Sequence, residues 1–133
     1  IFYKKNLIAQ RFNFGKVKKT TFPSPPDCEF QIGIGVIDEN KIFETHIHKT
    51  IERKIQNTSE FIYVISGKMT IEILAKDKLF VRSIELEQNE GFLQFFGGHK
   101  ITADACTRYF EIKQGPYFGR NFDKYTLNES PSK

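Results

Sequence analysis

The sequence predicts an all-β fold, an antiparallel sandwich or small barrel, and three observations point there. About eight short runs are rich in Ile, Val, Phe, Tyr and Thr and partly alternate polar with apolar residues. Turn-forming clusters separate them, among them Pro23 to Asp27, Asp38-Glu39-Asn40, Ser66-Gly67-Lys68, Gln88 to Gly91 and Gly97-Gly98. Outside a short piece near Thr50 to Ile55, no helical period persists for ten residues. Many short strands without a long helix need a second sheet, or closure of the first, to bury their apolar faces.

The predicted strands are residues 29–37, 41–47, 60–66, 69–74, 79–86, 91–96, 101–103 and 107–113. Alternate residues of a strand point to opposite faces, so Glu60, Ile62 and Val64 share one face and Phe61, Tyr63 and Ile65 the other. Both faces are largely apolar. One lines the interior, and the other requires a cover. A second subunit would supply it, so a homodimer is expected. The N-terminal segment, with Phe2, Tyr3, Phe12, Phe14 and Phe22, is the alternative cover.

A chain of 133 residues is one domain by the rough figure of 150 per domain, and 14 Phe with 39% hydrophobic residues exclude a disordered polymer. It divides into a basic N-terminal segment (1–26) covering or extending the fold, a body (27–120) and a polar, peripheral tail (121–133). The first segment holds six basic side chains and no acid before Asp27, whereas the body and tail together carry a small net negative charge. The basic excess therefore sits on an arm expected to be solvated. No basic face exists on the body for nucleic acid. No apolar stretch of about 18 residues exists to span a membrane, and residues 1–30 lack the apolar core of a secretory signal, so a cytoplasmic location is expected. Cys28 and Cys106 lack C-x-x-C spacing and are expected to be small buried hydrophobes.

The chemistry concentrates in the three histidines and one acid. His46-Ile47-His48 on a strand directs both imidazoles to one face, as two ligands of one metal require. His99 follows Gly97-Gly98, whose freedom to turn sharply can aim it inward. Glu60 opens an apolar strand on the inward face, and a buried carboxylate there needs a partner, which a metal would supply.

His46-x-His48, Glu60 with Gly67 after six intervening residues, and Gly91 to His99 resemble the two motifs of the cupin superfamily. Within it the chain is similar to small single-domain cupins encoded among polysaccharide or nucleotide-sugar genes. Glu52-Arg53, Thr58-x-Glu60, Gly97-Gly98-His99 and Glu111-Ile112-Lys113-Gln114-Gly115-Pro116-Tyr117 carry that likeness, which runs from about Phe30 to Tyr117. The resemblance implies a double-stranded β-helix (a jelly-roll β-barrel), a divalent metal held by His46, His48, Glu60 and His99, and a homodimer.

The chain departs from the family pattern in two places. Eleven residues, Lys49 to Ser59, separate His48 from Glu60, which leaves Glu52 as a rival acidic ligand. The second motif is short, lacks its proline and has Ala103 where Asn is common.

Imidazoles with a carboxylate suit Zn, Fe, Ni, Mn or Cu alike. Arg53, Gln94, Lys113 and Tyr117 are the candidate contacts for a small-molecule ligand, and Arg53 offers a bidentate fork to phosphate or carboxylate. The expected function is a metal-binding cupin with an interior pocket for a small, sugar-related metabolite, in which the metal assists isomerisation or epimerisation. The alternatives are a non-catalytic ligand-binding or structural metal site, and an iron-dependent dioxygenase. Sequence leaves open whether the protein is an enzyme.

Overall fold

The structure, a computed structural model, describes residues 1–127. Its strands are β1 (Phe2–Tyr3), β2 (Asn6–Leu7), β3 (Ala9–Asn13), β4 (Glu60–Ser66), β5 (Lys68–Leu74), β6 (Phe80–Glu87), β7 (Glu90–Gln94), β8 (Gly98–Ala103) and β9 (Arg108–Lys113), with a 3-10 turn (Phe14–Lys16) and one turn of α-helix, α1 (Arg120–Asp123). They form a four-stranded sheet in the order β3-β7-β4-β9, a three-stranded sheet in the order β6-β5-β8, and a small β1-β2 ribbon. All pairings are antiparallel. The chain is all-β with two facing sheets.

Alternation decides what lies between the sheets. Ile62 and Val64 of β4, Met69, Ile71 and Ile73 of β5, Leu86 of β6, Phe92 of β7 and Ala9 of β3 form one buried cluster with Ile8. Each of the larger side chains contributes about 1.5–3 kcal/mol by leaving water. The outer face of the four-stranded sheet buries Phe61, Leu93 and Phe95 under Phe12 and Ile34, with Phe14 edge-on to both Phe61 and Tyr63. The parity expected for residues 60–66 thus holds, and the N-terminal segment provides the cover over Phe61. The β4-β5 hairpin turns at Gly67, whose φ of +85° suits glycine and where a Cβ would lie 2.8 Å from Thr107 Cα.

The six predicted strands from residue 60 onward appear, 60–66 with the predicted ends and the other five with shifted ends. Those at 29–37 and 41–47 do not. Apart from a single bridge between Thr21 and Ile34, residues 22–58 pair with no strand. Composition favours an extended backbone there, but a strand is stable only with a hydrogen-bonded neighbour. Residues 50–55 form no helix either.

Three strands lie in the first 13 residues, where none was predicted. Nor is that segment a solvated arm throughout. Lys4 pairs with Asp77 at 3.1 Å, and Arg11 with the buried Glu90 at 2.6 Å. Glu90 also accepts from Asn13 Nδ2 and from the Glu87 backbone N–H. Burial opposes ionisation of Glu90, but the Arg11 contact and the other donors outweigh it and hold the carboxyl below the usual range.

Cys28 is half-buried, but Cys106 is exposed at a positive-φ position in the β8-β9 turn, contrary to the expectation for it. In the tail, α1 covers residues 120–123 and the chain to Leu127 is largely exposed; residues 128–133 lie outside the described part. No described helix is long and apolar enough to cross a membrane.

Candidate functional site

Two of the expected ligand residues meet at one end of the sandwich. Glu60, first residue of β4, stands opposite Gln94 of β7 on one side and Lys113 of β9 on the other. His99 stands opposite Ile73 in the facing sheet. Both side chains point inward, and Glu60 Oε1 lies 3.3 Å from His99 Nε2, with 16% and 24% of the side chains exposed. Gly97 makes the approach possible: its φ is +99°, and a Cβ there would collide with the Leu74 carbonyl oxygen. The glycine pair thus aims His99 inward, as its chemistry predicts.

Gln94 determines how the imidazole presents itself. The residue is 3% exposed, and its Nε2 donates to the carbonyls of Phe96 (3.2 Å) and Gly98 (2.9 Å). An amide turned the other way would set oxygen against both carbonyls, so Oε1 must face His99, and it does so at 2.6 Å from Nδ1. His99 Nδ1–H therefore donates to Gln94, and Nε2 is left to face Glu60. Burial pushes the Glu60 carboxyl up, but the hydrogen bond and charge of His99, with the charges of Lys113 and Lys124, pull it further down, so that it lies below the usual range.

Backbone contacts lock this corner. The Ser59 N–H donates to Gln114 Oε1 at 2.6 Å, and Ser59 Oγ donates to the Phe95 carbonyl at 3.1 Å. The residue before Glu60 is thereby clamped between the end of β7 and the segment after β9. Gln114 Nε2 is buried without a hydrogen-bond partner. Lys113 Nζ lies 3.7 Å from Glu111 Oε1 and 5.1 Å from the ring centre of Tyr117, itself exposed. Lys113, in register with Glu60 at the end of β9, thus stands beside Tyr117.

The remaining candidates lie elsewhere. His46 and His48 are exposed on the irregular segment, their rings 5.2 Å apart, with His46 Nδ1 2.9 Å from the Glu44 carbonyl. Without a strand, the alternation that was to aim them together at the interior does not operate. Glu52 and Arg53 are exposed on the same segment. Among the described residues no three metal-capable side chains cluster. Ligand bonds of about 2.0–2.2 Å at near-right angles set neighbouring donor atoms about 3 Å apart. The Nε2 to Oε1 spacing fits two positions of such a centre, and an Nδ1 committed to an acceptor is the usual support for an Nε2 ligand. His46 and His48 do not fit the other two positions where they stand.

Sequence reading found Glu60, His99 and Gln94 but not the bond between the last two. A buried amide five residues before a histidine, with a Gly-Gly turn between, is the signal that could have suggested it. Gln114 and Ser59 are 55 positions apart and left no such signal. Comparison with family profiles, with characterised proteins and with solved structures returns no match.

Proposed function

We propose that this protein is a metal-binding cupin whose centre is built on Glu60 and His99. The observation that supports this most is the contact between them across the two sheets, with His99 Nδ1 committed to Gln94. In this reading His46 and His48 supply the remaining ligands when the irregular segment docks. The edge strands of the two sheets are β3 and β9, and β6 and β8, and residues 29–37 and 41–47 have strand composition without a strand partner. Pairing 41–47 along β8 would carry the His46-x-His48 pair beside His99 and complete a double-stranded β-helix.

The metal, one of Zn, Fe, Ni, Mn or Cu, would polarise a carbonyl or hydroxyl of a small, sugar-related ligand, which suits isomerisation or epimerisation. Lys113 and Tyr117 would meet that ligand at the Glu60 end of the sandwich, and Arg53 would come with the segment. For a second copy of the chain, the sheet face over Phe61 leaves Ile65, Phe110 and Ile112 exposed.

A second reading is a non-catalytic metal or ligand site. It draws support from the filled interior, where Ile62, Val64, Met69, Ile71, Ile73, Leu86 and Phe92 are wholly buried. In either reading, elemental analysis of protein purified without a histidine tag is expected to give near-stoichiometric metal, and none in a His46→Ala, His99→Ala double variant. Wild type that takes up no metal after incubation with Fe, Mn, Ni and Zn would overturn the metal reading.

A further inference from the structure

We infer that Gln94 is a positioning residue, which fixes the tautomer of His99 and thereby makes Glu60 and His99 a two-point receptor for a cation. The inference rests on the proposed function only for the nature of that cation; the tautomer itself is a property of the metal-free chain.

The geometry leaves Gln94 little freedom. Its Nε2 is held by two carbonyls on either side of the Gly97 turn, and a Cβ at Gly97 would come within 3.3 Å of it. The amide therefore cannot exchange oxygen for nitrogen without facing oxygen to oxygen. Its Oε1, at 2.6 Å from Nδ1, is an acceptor only, so the Nδ1–H tautomer satisfies it. A singly protonated ring in that tautomer presents the Nε2 lone pair to Glu60. The lone pair then exposed lies 3.3 Å from a carboxylate oxygen, an arrangement of two electron-rich atoms that a shared cation relieves. An imidazole free to choose would instead place its single proton on Nε2, toward the carboxylate, and the site would close on itself. Gln94 prevents that closure from the Nδ1 side of the ring, while Glu60 faces Nε2.

Nitrogen-15 NMR of the metal-free protein, at a pH where the His99 ring is neutral, reads the tautomer directly. The wild type is expected to show Nδ1–H with a bare Nε2, and Gln94→Leu to shift toward Nε2–H. Zinc added as a probe should then bind Gln94→Leu about 10- to 100-fold more weakly, with an unchanged far-ultraviolet circular dichroism spectrum. A wild type with Nε2–H overturns the inference without any variant, and so does a Gln94→Leu protein that keeps Nδ1–H. If Gln94→Leu fails to fold, the wild-type spectrum alone decides. A wild type with Nδ1–H that binds no zinc overturns the cation receptor, while the tautomer set by Gln94 stands.

Discussion

Replacing Glu60 by Gln tests whether the pair at the end of the sandwich is ionic. The side chain keeps its size and loses its charge, so packing changes little. At 3.3 Å, unit charges in surroundings of effective dielectric constant about 20 attract by about 5 kcal/mol. Withdrawing both from water cancels much of this, and hydrogen bonds to charged partners net about 1.5–3 kcal/mol. Side-chain exposures of 16% and 24% leave modest screening, so with both groups charged we expect Glu60→Gln to lose about 2 kcal/mol. The chain has no Trp, so urea unfolding of chelator-treated protein is best followed by circular dichroism.

The pH dependence of that loss has a definite sign. The folded Glu60 carboxyl lies below its ordinary value of 4.5, so its contribution is fully present above that value and disappears as pH falls through the folded one. The gap between wild type and variant should therefore narrow steadily from pH 6 toward pH 3. Contributions shared by both proteins, such as that of Glu90, cancel in the difference. A gap of constant size over that range, or none at pH 6, would refute an ionised Glu60 held by His99.

Three further outcomes are expected. Ile62→Ala removes a wholly buried side chain between the sheets and should cost about 2–5 kcal/mol by thermal or urea unfolding, whereas Ile42→Ala on the exposed segment should stay within about 0.5 kcal/mol. Gly67→Ala should destabilise by at least about 1–2 kcal/mol, because alanine meets both an unfavourable φ and the Thr107 backbone; a neutral result would contradict the described turn. If the irregular segment docks on metal binding, tryptic cleavage at Lys41, Lys49, Arg53 and Lys54 should be rapid without metal and slow with zinc in wild type, but rapid in both conditions for His99→Ala.

The legible part of the fold is the part whose pattern is local. Residues 60–66 are apolar on both faces and end in a turn glycine, and they form the predicted strand with the predicted inward set. β3 was illegible for the opposite reason. Ala9-Gln10-Arg11-Phe12-Asn13 has no strand composition, and it becomes a strand because β7 offers it an edge, with Ala9 opposite Gln94 and Asn13 opposite Glu90. Residues 41–47 have the composition, yet no neighbour pairs with them. Propensity reports what a backbone tolerates, and pairing decides what it does. The acidic candidates separate in the same way, since Glu60 reaches His99 from a strand while Glu52 stays exposed on the irregular segment.

By itself the sequence determined the all-β class, the inward parity of Glu60, Ile62 and Val64, and the glycine turn that aims His99. These follow from the two-residue period of a strand and from conformational rules acting over a few residues. Only the tertiary structure decided that Glu60 and His99 meet across the sheets, that Gln94 Oε1 faces His99 Nδ1, that the N-terminal segment joins a sheet through β3 and Glu90, and that residues 41–47 lack a partner. Each depends on which distant segment lies alongside, and hydrogen bonds and burial reward that choice only after the chain has closed.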